Sequence, residues 1–458
     1  MEKNSQNKTG KIGLVTAVAV VIANMVGTGV FTSLGFQVLG IESGFTLLAL
    51  WVVGGIAALS GALTYGEIGS ALPRSGGEFH YLSRIYHPAV GFASGWVSAT
   101  VGFAAPVALA AMALGKYFTG VFYEPGGAGA EDPIIPRIIA LSVVVMVSLV
   151  HMQNLKTGGQ FQNVFTGLKL FLILILIFSG IILAAPQSIG FMPDENTMKG
   201  IFSQPFAISL VYVMYAYSGW NASSYIAGEV KDPRKNLPRS LLIGTSVVMV
   251  LYVLINFVFL YTTPIEAMKG KLEVGLIASE SIFGVSGGKI MGMLISLSLI
   301  SSISSMVWAG PRVTQVIGED IPFFRKLSKT NPSGIPVTAI VIQLLIAVVL
   351  VMTSTFDVVI NYTIFTLILS SLVTVVGVFV LRYRFPNAKP AYRTWGYPVT
   401  PLIFIGISIW MLIFLAMNKP WEAAGGIVTI LVGLGIWALT RSKEDAQTDS
   451  LDNEFEQN

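Results

Sequence analysis

The chain has no cysteine, only three histidines and few charges for its length: 28 lysines and arginines with 24 aspartates and glutamates among 458 residues, 11% in all. Without cysteine there is no disulfide, no cysteine-ligated zinc or iron–sulfur cluster and no thiol nucleophile. The histidines, His80, His87 and His151, leave little for a metal site, so we expect no metal and no other cofactor. A soluble chain averages roughly 25% charged residues, and one of this length forms two or three domains, each needing a charged surface. Here the charges cannot cover such a surface, while 53% of residues are hydrophobic and the mean hydropathy is +0.73. Soluble enzymes, nucleic-acid binders and disordered chains are thereby excluded. A net charge of +4, clustered at segment ends, is too small to suggest a polyanion partner.

What the chain does have is apolar length. Windows free of Asp, Glu, Lys and Arg run over 12–41, 43–66, 85–115, 138–155, 157–193 (interrupted by Lys169), 200–228, 240–265, 290–311, 330–356, 358–381, 394–418 and 423–440. A membrane helix needs about 20 mostly apolar residues, so this pattern predicts an all-α integral membrane protein with twelve transmembrane helices in a lipid bilayer. The windows 138–155 and 423–440 are short and need their flanks. Met1–Lys11 is polar and lacks a short apolar region with a cleavage site, so the first helix is expected to serve as the targeting signal. With the N-terminus inside, twenty of the 28 basic residues fall on one side and seven on the other, with Lys169 in mid-helix. The positive-inside rule then puts both termini in the cytoplasm, and the acidic 444–458 tail reads as disordered.

Two windows carry breaks in the helical pattern. The first holds Asn24-Met25-Val26-Gly27-Thr28-Gly29-Val30-Phe31, with two glycines around a hydroxyl where a spanning helix gains nothing from them. The sixth holds Tyr215-Ala216-Tyr217-Ser218-Gly219-Trp220-Asn221. Each reads either as a small-residue packing face or as an unwound segment. Together they open two five-helix sets, 1–5 and 6–10, and because five is odd the second set lies inverted. Corresponding broken helices in inverted repeats point to a midplane substrate site. Freed backbone groups are tolerated only where they line a cavity or meet a ligand. Freed N–H groups at a half-helix N-terminus suit a carboxylate, and freed carbonyls suit an ammonium, so the pair is built for a zwitterion. The organisation that follows is a tail (1–11), helices 1–5 (12–193), helices 6–10 with loops (194–393), two extra helices (394–441) and a tail (442–458).

These breaks, with two loop motifs, resemble the amino acid–polyamine–organocation (APC) superfamily. One motif is Pro73-Arg74-Ser75-Gly76-Gly77-Glu78-Phe79-His80-Tyr81-Leu82, leading to Gly91-Phe92-Ala93-Ser94-Gly95-Trp96; the other is Gly228-Glu229-Val230-Lys231-Asp232-Pro233-Arg234-Lys235-Asn236-Leu237-Pro238. The resemblance spans about residues 10–440, and Ser218-Gly219-Trp220-Asn221 is most similar to the L-type, light-chain-like exchangers and their bacterial relatives. It implies the APC fold and amino-acid transport by alternating access. It further implies that N–H groups around Thr28 and Gly29 hold the substrate carboxylate and that carbonyls near Met25, Tyr215 and Ser218 hold the ammonium. Tyr215 takes the place of an aromatic gate, and Asn221 that of a polar side chain beside the substrate. Asn24 resembles an asparagine of bacterial arginine/agmatine exchangers. Human L-type light chains are disulfide-linked to a heavy chain through a cysteine; this chain has none, so such a partner is excluded.

The segment expected to face the site, Phe103-Ala104-Ala105-Pro106, and the hydroxyl-rich run Ser301-Ser302-Ile303-Ser304-Ser305-Met306 contain no carboxylate. We therefore expect small or medium neutral L-amino acids, with cationic amino acids or polyamines as the alternative, since aromatics also bind cations. A transporter-like amino-acid sensor stays open; a membrane enzyme lacks a mid-span catalytic constellation. Glu67, Glu78 and Glu229 read either as solvated helix ends or as an inner gate with Arg74, Arg84, Lys231 and Arg234. His80 and His87 read as interfacial. Trp220 reads as packing, interfacial belt or site. At about 1.5 Å per residue, Lys169 lies roughly 12 Å in from Phe161, where an ammonium is costly. It must bond to carbonyls or hydroxyls, with the first break as the natural partner. It is read as a tie between helices or, as the resemblance implies, as a tethered replacement for the cation of sodium-coupled relatives, making transport sodium-independent.

Overall fold

The computed structural model describes residues 12–122, 134–153, 155–193, 197–387 and 390–440; both expected tails lie outside them. The described residues are helical, in the order α1 (Leu14–Met25), α2 (Gly29–Gln37), α3 (Gly44–Ala71), α4 (Glu78–Ile85), α5 (Pro88–Val97), α6 (Ala104–Phe122), α7 (Ile134–His151), α8 (Leu155–Leu183), α9 (Thr197–Ile201), α10 (Gln204–Tyr217), α11 (Ala222–Tyr225), α12 (Pro233–Thr262), α13 (Ile265–Met268), α14 (Val274–Asp320), α15 (Val337–Thr353), α16 (Phe356–Arg384), α17 (Val399–Asn418) and α18 (Pro420–Thr440). A π-helical turn, Ser98–Gly102, joins α5 to α6.

Ten segments are long and apolar enough to cross a membrane, counting α1–α2 and α5–α6 as one each. Two of the twelve expected crossings fall short of that length. Helix α15 begins only after Pro336, which cannot continue a helical hydrogen-bond ladder, and is 17 residues long. The α10–α11 segment is interrupted. Helices α12, α14, α16 and α18 overrun the charge-free windows because their ends carry charged residues. Helix α14 covers 47 residues where the window 290–311 predicts 22, turning at Gly284 (φ 72°). The third window divides at Tyr86–His87, where His87 Nδ1 accepts the Ala89 N–H at 3.2 Å and caps α5.

The apolar core is continuous, with α3 packed on α12, α6 on α14 and α1 on α12. Many large apolar side chains point outward, among them Phe171, Phe178, Leu345 and Leu431. Such a surface suits hydrocarbon rather than water. The start of the chain is tied to the loop before α12 by a single bridge: Ile12 N–H donates to Glu229 O (2.9 Å), and Lys231 N–H to Ile12 O (2.8 Å).

Candidate functional site

Both sequence breaks are real breaks in the helices. Helix α1 stops at Met25, Val26 leaves helical geometry (ψ 88°), and α2 restarts at Gly29. The N–H groups of Thr28, Gly29 and Val30 have no backbone acceptor among the described residues. Helix α10 stops at Tyr217; Ser218 is extended (ψ 147°) and Gly219 is left-handed (φ 92°) before α11. Asn221 precedes α11, which is a single turn.

The two breaks lock against each other. A Cβ on Gly219 would stand 2.9 Å from the carbonyl carbon and oxygen of Asn24. One on Gly29 would stand 2.6 Å from the Cβ of Ala216 and closer still to its Cα. Only glycine permits this approach, which is why small residues occur at both places. Across the contact Thr28 Oγ1 and the Tyr215 hydroxyl share a hydrogen bond of 2.7 Å. The Tyr252 hydroxyl, from α12, lies 2.6 Å from Met25 O and 3.0 Å from Ala216 O and bridges the two helix ends. Ser218 N–H donates to Tyr215 O, and Asn24 Nδ2 folds back onto Val20 O. Thus two carbonyls expected to receive an ammonium, Met25 O and Tyr215 O, each already accept one internal bond, leaving one lone pair each.

Two adjoining cavities meet at the breaks and share Asn24, Pro106, Ser218 and Met306. The smaller, about 320 Å³ with its open mouth included, is bordered by Met25, Gly27, Thr28, Gly29 and Tyr215. The larger, about 710 Å³ with its open mouth included, is bordered by Gly219, Trp220, Asn221, Tyr225 and Glu78. Val26 lines neither and is wholly buried. Trp220 packs edge-on against Tyr65 and Phe404.

Lys169 is fully buried, with Nζ 3.1 Å from Ser302 Oγ on α14 and 3.5 Å from Ala23 O on α1, two residues before the break. Glu78, which reads from sequence as a solvated helix-end charge or part of an ion-paired gate, is buried and has no ion pair among the described residues. It is 2% exposed and accepts from Tyr65, Asn221, Ser371 and one hydroxyl of the Ser94–Ser370 pair. The other ion pairs also differ from the sequence-near partners. Glu67 takes Arg382 in a two-pronged bond at 2.8 Å, Glu229 takes Arg312 and Arg74 takes Asp320. His80 is buried, and His151 pairs with Ser304 at 2.8 Å. Tyr252, Ser302 and the inward turn of Glu78 are what sequence reasoning missed. Tyr252 offered only a polar tip inside an apolar window, and Glu78 only its place after Gly76-Gly77. No group of three His, Asp or Glu that could hold a metal occurs among the described residues.

Comparison with known proteins agrees with this geometry. The amino acid permease family matches residues 12–439. The serine/threonine exchanger SteT of Bacillus subtilis (strain 168) is 30% identical over 433 residues, 93% of this chain and 96% of that protein. The b(0,+)-type amino acid transporter 1 of Mus musculus is 26% identical over 93% of this chain and 86% of its own. The large neutral amino acids transporter small subunit 2 of Homo sapiens is 25% identical over 94% and 80%. With twin helix breaks around a shared cavity, an apolar exterior and a family match over nearly its whole length, the chain belongs to the amino acid permease family of the APC superfamily, as a multi-pass membrane transporter and not an enzyme.

Proposed function

We propose that this protein exchanges small or medium neutral L-amino acids across the cell membrane by alternating access, independently of sodium. The observation that carries this reading is the interlock of the two breaks. It supports the reading because Thr28 and Gly29, whose N–H groups have no backbone acceptor among the described residues, line the smaller cavity together with Met25 and Tyr215 at the carbonyl ends of α1 and α10. A carboxylate and an ammonium on one carbon span such a site. Lys169 stands beside the break, where a fixed ammonium bonded to Ala23 O and Ser302 supplies the charge that a bound cation would otherwise supply. In our reading α10–α11 and α15 are the two remaining crossings, the 12–193 and 194–393 halves are inverted repeats, and both termini are cytoplasmic. The pairs Arg74–Asp320 and Glu229–Arg312, which join loops to the end of α14, then form an inner gate.

A neutral substrate is favoured by the exchanger named for serine and threonine among the relatives. The second reading, cationic amino acids or polyamines, draws on Glu78, a carboxylate in the cavity wall. A carboxylate has about four lone-pair sites, and Tyr65, Asn221, Ser371 and one hydroxyl of the Ser94–Ser370 pair fill those of Glu78, leaving none for a substrate ammonium. Counterflow in proteoliposomes with the twenty amino acids, with and without internal amino acid and with sodium replaced by choline, tests the proposal. Uptake of serine, alanine or leucine that needs internal amino acid and ignores sodium is expected. Strong uptake of arginine or putrescine with none of these would overturn the neutral-substrate reading. Binding without flux would make the protein a sensor.

A further inference from the structure

Among the described residues the wall of the larger cavity carries two side-chain amides, Asn24 and Asn221, and the orientation of Asn221 decides what that wall offers a substrate. An amide has one face that donates and one that accepts, and its hydrogen-bond network selects between them. Nδ2 of Asn221 lies 3.3 Å from Glu78 Oε1 and 3.4 Å from the Tyr225 hydroxyl. If the amide turned over, its oxygen would face a carboxylate oxygen, acceptor against acceptor, so the network permits one orientation. Oδ1 has no donor among the described residues, and Asn221 lines the cavity, so this oxygen is the amide group left for a substrate.

Glu78 can hold this orientation because it is itself held. Oε1 accepts from Tyr65 on α3 and Ser371 on α16, while Oε2 accepts from one of the paired hydroxyls of Ser94 on α5 (3.2 Å) and Ser370 on α16 (2.7 Å). These four hydroxyls come from three elements around α4. Ser94 and Ser370 stand 2.6 Å apart, so the hydroxyl that does not donate to Oε2 donates to the other, closing the cage. The carboxylate is thus fixed in place beside the α10–α11 break with a single outward task, receiving the amide of Asn221.

We propose that Glu78 is a positioning residue that fixes the polarity of Asn221, so that the side-chain subsite ends in a hydrogen-bond acceptor and selects amino acids whose side chains donate, hydroxyl-bearing ones foremost. The proposal rests on the neutral-amino-acid reading above and adds the side-chain class. Desolvating Oδ1 against a methyl group leaves an acceptor unpaired, whereas a hydroxyl of the same size satisfies it.

Threonine and valine, equal in shape, are the probes. Their exchange is measured in proteoliposomes with wild type, Asn221→Leu, Glu78→Gln and Glu78→Asp. Wild type favours threonine by about tenfold in Vmax/KM, the scale on which an unmade hydrogen bond is felt. Asn221→Leu removes the preference. Glu78→Gln, which offers both donor and acceptor and lets the amide turn, lowers it several-fold. Glu78→Asp, whose oxygens withdraw by about one carbon–carbon bond, does likewise and serves if the glutamine variant fails to insert. The ratio is read within one preparation, so a variant that only loses folded protein scales both substrates alike. Equal handling of threonine and valine by wild type, or an undiminished ratio in a Glu78 variant, overturns the proposal while leaving neutral exchange intact. Exchange of no neutral amino acid overturns both.

Discussion

Gly219 rests directly on the main chain of Asn24, with its α-carbon so near that a side chain of even one carbon would stand 2.9 Å from the Asn24 carbonyl. This contact fastens the second helix break to the end of the first half-helix. Neither break is free to close without displacing the other, so substitutions at the contact act on both halves of the cavity.

Gly29 makes the reciprocal contact, and Gly29→Ala is expected to cut exchange at least tenfold. The added carbon meets the backbone of Ala216, which cannot rotate away. Overpacking costs about 1–3 kcal/mol even where side chains can give. Gly27→Ala is the comparison: its Cβ meets Ser302 Oγ at 3.6 Å and Met25 O at 3.8 Å, both ordinary contacts. Thermal stability in detergent, measured with exchange, should fall for Gly29→Ala and hold for Gly27→Ala. Equal stability of the two would mean that the breaks do not interlock.

Lys169→Ala is expected to cripple exchange, because it strips Ala23 O and Ser302 of the buried ammonium between α8, α1 and α14. Sodium should not stimulate the wild type. Sodium-dependent uptake by wild type, or full exchange by the variant, would remove the ion-replacing role. Loss of exchange in Lys169→Met with unaltered stability would separate charge from packing.

Tyr215→Phe deletes the hydroxyl that bonds Thr28 across the breaks. A neutral hydrogen bond contributes about 0.5–1.5 kcal/mol, so KM should rise by roughly two- to tenfold at about 1.4 kcal/mol per decade. The same rise should follow Thr28→Val and should not double in the pair of variants. Multiplying effects would show that the two hydroxyls act separately.

Glu67→Gln should destabilise the fold without altering substrate preference, since Glu67 lies away from both cavities. Its two oxygens hold Arg382 and the Thr394 N–H, and Arg382 stacks over Tyr397, so one side chain fastens α3, α16 and the loop after α16. Losing one charge-assisted bond costs about 1.5–3 kcal/mol, readable as a lower melting temperature. A changed ratio between substrates would contradict this division of roles.

Lys419, between α17 and α18, donates to Asp357 at 2.7 Å, and this bond holds its ammonium above the usual lysine range. A raised value in the folded protein means the contribution is complete below the ordinary lysine pKa and is lost as pH rises through the elevated one. The stability difference between wild type and Lys419→Met should therefore be flat from pH 6 to pH 9. A difference that shrinks within that interval would show that another group governs the tether.

The membrane class, most helix positions and both breaks were legible in the sequence because each is written locally. Charge-free length marks a crossing, and Gly27-Thr28-Gly29 and Ser218-Gly219 are poor helix formers wherever they fold. Local patterns also mislead at the margins. The window 290–311 understates α14, whose ends are polar, and the window 330–356 overstates α15, which Pro336 delays.

What the tertiary structure alone decided is who meets whom. Glu67 takes a partner 315 positions away, and Glu78 takes two from 292 and 293 positions away, although arginines stand within a few residues of each. Sequence proximity lost because helix packing, not chain distance, sets which side chains share a buried space. Tyr252 carries no local mark of its bridge between Met25 and Ala216. An unwound segment announces that its carbonyls and N–H groups need partners, but only the packing of α12 against α1 and α3 supplies the hydroxyl, and only the cage around Glu78 turns the Asn221 amide toward one side of the cavity.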